Sequence, residues 1–225
     1  RCLIQFNQYH SYTVDEHTLR VIEAADAFAT KPGALGDAYG EIRHKEILHL
    51  AMLLHDAGKG FSGDHSDVGR RIAGDMADRL RLSAHQRDLL IFLVHKHLNM
   101  SHVALLHNID DDDEVLNFAR NVGSPEYLRM LFVLTAADIQ GVGPNAWTDW
   151  KGLFLTQLYE RAMLALSGED PHTHDAERLT RLRAEVLPIL NSAGHGEPWT
   201  DESLARYFDT FARHYLLSTP AIQIA

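Results

Sequence analysis

A chain of 225 residues, 45% of them apolar and only seven of them proline, is long enough to bury a sizeable core and is neither fibrous nor disordered. One cysteine, Cys2, excludes an internal disulfide and a cysteine-rich zinc site and fits a reducing, cytoplasmic setting. A net charge of −10 argues against a nucleic-acid-binding surface, and no run approaches the roughly 18 apolar residues that span a bilayer, so neither nucleic acid nor membrane is expected as a partner. The N-terminus lacks a signal-peptide pattern and an initiating methionine, and the chain is expected to be part of a longer protein.

Apolar residues recur at three and four along the chain and nothing alternates at two, so the expected class is all-α, without internal repeats. Thr13-Val14-Asp15-Glu16 reads as a capping box that opens a helix to about Thr30, broken by Lys31-Pro32-Gly33-Ala34-Leu35-Gly36. A second helix covers roughly Glu41 to Ala57 and stops at Gly58. A glycine-bearing loop, Gly58 to Asp64, leads to a third from about His65 to Leu82. Ser83-Ala84-His85-Gln86 caps the next, which runs to about Asn99, and Asp110 to Asp113 mark an acidic loop. Ser124-Pro125 starts a helix with proline at N1, where its missing N–H does no harm, and this helix ends near Gly141. Trp147 to Leu166 is another amphipathic helix. After the polar break Ser167 to Pro171 come two shorter ones, about Asp175 to Leu190 and Asp201 to Leu217. That break is the candidate boundary between a core, residues 1–168, and a C-terminal helical extension, residues 169–225.

Ligand-type residues gather at the helix ends. His17 lies in the first turn of the first helix, His55-Asp56 end an apolar one, and Asp138 ends another after Leu131-Phe132-Val133-Leu134. An acid beside an imidazole at the end of an apolar helix is costly unless something binds both, and a divalent cation does. Two or three histidines with one or two aspartates suit iron, manganese, zinc or magnesium, so one or two such ions are the expected cofactor. His65 and His97 are the next candidates, with Asp56 able to bridge two ions that would clamp a transferring phosphoryl group and activate water. Lys59, one turn past His55, can reach a phosphate oxygen as a point charge.

Each candidate has a bland alternative. A lone histidine on an apolar helix is usually a satisfied core residue, Asp138 alone a turn residue, and Lys59 alone a solvated charge at a helix C-terminus. Their joint placement at the ends of separate apolar helices favours the metal reading. His49, His85, His95, His102, His107, His172, His174, His195 and His214 lack this context, and His10 is ambiguous. The run Asp110 to Glu114 lacks the spaced ligands and glycine of a calcium loop and reads as a solvated acidic loop.

The ordered set His17, His55-Asp56, Asp138 resembles the HD superfamily of metal-dependent phosphohydrolases. Longer strings are similar to the HD domain of the bifunctional PII uridylyltransferase/uridylyl-removing enzymes. They are Tyr9 to Leu19; Leu53 to Gly60 followed by Gly63-Asp64-His65-Ser66 and Gly69; and Leu93-Val94 with His97 to Ser101. Further along come Leu134 to Asp138 with Pro144, Trp147, Trp150-Lys151 and Leu158-Tyr159, and then Phe211 to Leu216. The resemblance implies an HD-domain helical bundle that removes UMP from a tyrosine of a PII-type signalling protein by hydrolysing a phosphodiester. It also implies a full-length context with a nucleotidyltransferase domain and glutamine-sensing ACT domains. The working expectation is a metal-dependent phosphodiesterase in which His17, His55, Asp56 and Asp138 hold one ion and His65 and His97, with Asp56 bridging, hold a second. Lys59 would then stabilise phosphoryl charge, and Asp64 would orient a ligand histidine or accept a proton. The chain departs from the family where an arginine pair follows the Met-Ser element: here it reads Leu105-Leu106-His107-Asn108. The alternatives are an HD phosphohydrolase acting on a small nucleotide or alarmone, and a regulatory HD module that binds without turnover.

Overall fold

A computed structural model of the chain describes residues 12–168, 171–192, 198–211 and 213–225. Cys2, the Tyr9-His10-Ser11 start of the first motif, and His195 lie outside these residues. Among the described residues the secondary structure is helical without strands, which matches the all-α expectation.

The first helix, α1 (Val14–Ala27), begins where the cap predicts, with the Thr13 hydroxyl accepting from the Glu16 N–H at 3.3 Å. His17, Thr18, Val21 and Ala25 form its buried stripe, and Phe28–Thr30 continue it as a 3₁₀ turn. A short helix, α2 (Ala34–Glu41), follows where the sequence reads as a break. Leu35, Ala38 and Tyr39 recur at three and four on its buried face, and burial against the core offsets the weak local propensity of a glycine-rich stretch. Next come α3 (Lys45–Leu54), shorter than the sequence suggests, and α4 (His65–Arg79).

The serine cap holds: α5 (Ala84–Lys96) opens with a complete Ser83–Gln86 capping box. The helix expected to run to Asn99 instead stops at His97, and α6 (Asn99–Leu106) sets off at a bend of 42°. The acidic loop is also corrected. Asp111 is an N-cap, and Asp112, Asp113 and Glu114 form the first turn of α7 (Asp112–Val122), where the positive end of the helix dipole favours them. α8 (Pro125–Val142) and α9 (Asp149–Ser167) complete the core. The buried Arg161 of α9 donates to the Ile109 carbonyl and to the Asp112 carboxylate, fastening the approach to α7.

α8 is the axis of this unit: every residue from Met130 to Ala137 is buried, and α1, α2, α3, α5, α6 and α9 pack around it. A helix apolar all round belongs inside a bundle. One continuous apolar cluster joins residues from Val21 to Ala162. The remaining helices are α10 (Pro171–Ser192), α11 (Asp201–Phe208), α12 (Arg213–Ser218) and α13 (Ala221–Ile224). They gather a second cluster around Leu182, Val186, Leu204, Phe208, Leu216 and Ile224. Among the described residues no single helix is long and apolar enough to cross a membrane.

Candidate metal centre

Four elements bring their ends to one point beside α8. His17 projects from the first turn of α1, His55 is the C-cap of α3 with Asp56 next in the turn, His97 is the C-cap of α5, and Asp138 lies one turn before the end of α8. His17, His55, Asp56 and His97 are all buried, in a protein whose other buried side chains are overwhelmingly apolar.

The distances describe a cage. His17 Nε2 lies 3.0 Å from Asp138 Oδ1, 3.7 Å from Asp56 Oδ2 and 3.2 Å from His55 Nε2. His55 Nε2 lies 3.5 Å from Asp56 Oδ2 and 3.6 Å from Asp138 Oδ1. Around an ion with bonds near 2.1 Å, neighbouring ligand atoms sit about 3.0–3.4 Å apart, so this donor set needs only small adjustments to close on one.

The backbone sets the tautomers. His55 Nδ1 donates to the Met52 carbonyl at 2.7 Å and His97 Nδ1 to the Val94 carbonyl at 2.7 Å. In the neutral rings both lone pairs are thereby left on Nε2, aimed into the site, which is the usual way a ligand histidine is oriented. The buried Nε2 atoms of His97 and His65 meet no hydrogen-bond partner. Buried acceptors without donors are expensive, and a cation satisfies them.

Charge in the cage is strongly perturbed. Burial opposes a proton on His55, but Asp138 and Asp56 outweigh it and raise the imidazole to about 9. Burial likewise works against the Asp138 carboxylate, yet hydrogen bonds from His17 and His55 hold it well below its usual range. Asp56 is lowered despite its burial, by His55 and by Lys59. His97 is pushed down to about 4, chiefly by burial and then by the neighbouring His55. The cage therefore concentrates negative charge that either a proton or a metal must offset.

A second group shares Asp56. Asp56, His65 and His97 each offer a ligand atom within 4.8 Å of the others, with Asp56 Oδ1 3.9 Å from His97 Nε2. The two oxygens of Asp56 thus face different groups, Oδ2 toward His17 and His55 and Oδ1 toward His97. The donor set fits a divalent metal ion.

Lys59 stands beside the cage, with Nζ 2.6 Å from Asp56 Oδ2 and the side chain partly exposed. Asp64 stands elsewhere. It is exposed, and its Oδ1 accepts from the Ser66 and Asp67 N–H groups at 2.9 and 3.1 Å as the N-cap of α4. Those backbone bonds lower its pKa, which makes it a poor proton acceptor, and among the described residues no hydrogen bond joins it to a histidine. In the structure its side chain serves as a helix cap. The arginine-pair position, residues 105–108, ends α6 with Leu106 largely exposed. Of the histidines set aside, His49 pairs with Asp26, His95 with Asp67 and His107 with Glu114, all outside the cage.

Two glycines at helix ends allow the close approaches that bring the candidate ligands together. A Cβ on Gly58 would stand 2.0 Å from the His65 carbonyl oxygen, so only glycine lets the turn after Asp56 press against the start of α4. A Cβ on Gly141 would stand 2.6 Å from Val21 Cγ2 and 3.3 Å from His17 Nδ1, so the glycine lets α1 close onto α8. A glycine inside an otherwise helical pattern was the available signal for the second.

A family model described as the HD domain matches residues 14–134. A bifunctional uridylyltransferase/uridylyl-removing enzyme of Phenylobacterium zucineum (strain HLK1) is 37% identical over 233 residues, covering 96% of this chain and 24% of the relative. The enzyme of the same description from Azospirillum brasilense is 42% identical over 229 residues, covering 99% of this chain and 23% of its own. That from Zymomonas mobilis subsp. mobilis (strain ATCC 31821 / ZM4 / CP4) is 39% identical over 186 residues, covering 80% and 20%. The chain therefore spans about a quarter of the length of these relatives. No solved structure matches it significantly.

Proposed function

The chain belongs to the HD domain family and is homologous to a segment of bifunctional uridylyltransferase/uridylyl-removing enzymes, and on that premise we propose that it is a metal-dependent phosphodiesterase that removes UMP from a uridylylated PII-type signalling protein. The observation that carries the hydrolytic reading is the convergence of His17, His55, Asp56 and Asp138, from three helices, with the two imidazoles 3.2 Å apart and His–Asp distances of 3.0–3.7 Å inside a buried cage.

In this proposal His17, His55, Asp56 and Asp138 hold one divalent ion, and His65 and His97, sharing Asp56, hold a second. Manganese, magnesium, iron and zinc are all compatible with such donors. When bound, the metal supplies Lewis-acid charge to a phosphoryl oxygen and lowers the pKa of water. The chain's own residues do the rest. Met52 and Val94 fix the orientation of the His55 and His97 rings, so that only small adjustments are needed on binding. Asp56 offers one oxygen to each group. Lys59, tied to Asp56 yet reachable from solvent, meets the non-bridging phosphoryl oxygens as their charge grows. The buried helix ends exclude bulk water and keep these charges effective.

The two apolar clusters support a division into an HD core, residues 1–168, and a helical extension, residues 169–225. The relatives' description as uridylyltransferases and their greater length support a multidomain whole protein, in which the resemblance implies nucleotidyltransferase and ACT domains and a cytoplasmic setting. The test is release of UMP from uridylylated PII by the purified chain with added Mn²⁺, beside a panel of free nucleotides and a chromogenic phosphodiester. UMP release that disappears in Asp56→Ala supports the proposal. Turnover of free nucleotides alone transfers the site to the small-nucleotide reading. Metal binding without any turnover makes it a regulatory module.

A further inference from the structure

The helices that end in the cage carry a second set of donors where they begin. His44 is the N-cap of α3, and His85 and Glu126 lie in the first turns of α5 and α8. The same three helices deliver His55, His97 and Asp138 to the cage at their other ends. From 44 to 55, 85 to 97 and 126 to 138 the paths are nearly equal, and at about 1.5 Å per residue they set the two poles about 16–18 Å apart. Because both ends meet, the three helices run in the same direction.

At this outer pole each of His44, His85 and Glu126 offers a ligand atom within 4.8 Å of the other two. His85 Nε2 and Glu126 Oε2 are 2.9 Å apart, and the rings of His44 and His85 meet edge to face with centroids 5.9 Å apart. Glu46 stands beside them, its Oε1 3.1 Å from His44 Nδ1.

We propose that His44, His85 and Glu126 form a second, separate metal site, selective for a Zn²⁺-like transition ion, which clips together the N-terminal ends of α3, α5 and α8. Two imidazoles with one carboxylate are the donor set of tetrahedral zinc with water completing the shell, and imidazole nitrogen disfavours magnesium and calcium. The three helix N-termini bring partial positive charge, which opposes a cation, and the carboxylates of Glu126 and Glu46 offset it. All three ligand side chains reach solvent, so an ion can enter and the side chains are free to turn toward it. With an ion at this pole, the helices that position the cage are held in register at both ends. The inference does not rest on the hydrolytic reading, since it concerns different residues at the opposite end of the bundle.

The test is a Zn²⁺ titration against a competing chromogenic chelator, with elemental analysis of the equilibrated protein. Wild-type chain is expected to bind one more equivalent of Zn²⁺ than His85→Ala, with Glu126→Gln weakening that same equivalent at least tenfold. Far-UV circular dichroism checks that the variants, altered at solvent-reachable positions, remain folded. In an Asp56→Ala background, which disables the cage, Co²⁺ is expected to give the visible absorption of a low-coordinate site, abolished by adding His85→Ala. Equal Zn²⁺ stoichiometry and affinity in wild type and folded His85→Ala overturns the proposal. That comparison stands even if Asp56→Ala fails to fold.

Discussion

The two poles of α3, α5 and α8 use nearly the same side chains in opposite surroundings. At the inner pole His55, Asp56 and His97 are buried, whereas at the outer pole His44, His85 and Glu126 all reach water. Water can satisfy an exposed imidazole or carboxylate at little cost, so the outer donors are stable with or without an ion. Inside the bundle water is excluded, and unpaired charge or an unfilled lone pair costs several kcal/mol in principle. The inner pole must therefore hold a proton or a cation at all times. The same motif is an option at one end of the helices and an obligation at the other.

The largest expected effect is at the inner pole. Asp56→Ala removes the carboxylate that faces both groups, and hydrolysis is expected to fall on the order of 10³-fold or more together with loss of bound metal. Steady-state kinetics and elemental analysis check it, and full activity with metal retained would break the assignment.

A pH effect of opposite sign on two quantities comes next. In the metal-free protein His55 is raised from 6.5 to about 9, so its contribution to stability is fully present below pH 6.5 and declines as pH rises through 9. Metal must displace that proton, so affinity at the cage is expected to rise about tenfold per pH unit across the same window and then level off. Thermal melts of the chelated protein, with metal titrations at matched pH, measure both slopes. Parallel slopes would contradict the proton-or-metal account of the cage.

Gly58→Ala is expected to cost about 1–3 kcal/mol by forcing the turn away from α4. It should weaken the group containing His65 more than the group containing His17. Urea unfolding measures the first effect, and stepwise metal stoichiometry the second. Smallest of all, His85→Ala in metal-free protein is expected to change stability by no more than about 0.5 kcal/mol, as exposed positions generally do. A buried-site penalty there would erase the distinction between the poles.

Much of this was legible in the chain. The Thr13 and Ser83 caps, the Pro125 start and the long apolar run of α8 are local signals that the structure retains. The residues that the structure brings together in the cage are legible as candidates because acids and imidazoles at the ends of apolar helices are anomalous wherever those helices pack. α2 was not legible, because glycines mask a stripe whose value lies in what it packs against. The acidic run at the start of α7 was misread because four acids look solvated until one is seen as a cap and another meets Arg161. That the Asp64 side chain turns back to cap its own helix is a matter of local turn geometry that the residue type alone does not show. His85 was set aside, because nothing near it in sequence shows that His44 and Glu126 lie alongside.

The sequence by itself determined the all-α class, most helix starts and the residue types able to bind metal, since capping and periodicity act over a few residues. Only the tertiary structure decided which donors meet, which oxygen of Asp56 faces which group, and that three parallel helices are joined by donors at both ends. Those facts depend on how helices distant in sequence close on one another. That closeness is set by Gly58 and Gly141, where a single methyl group would hold the elements apart.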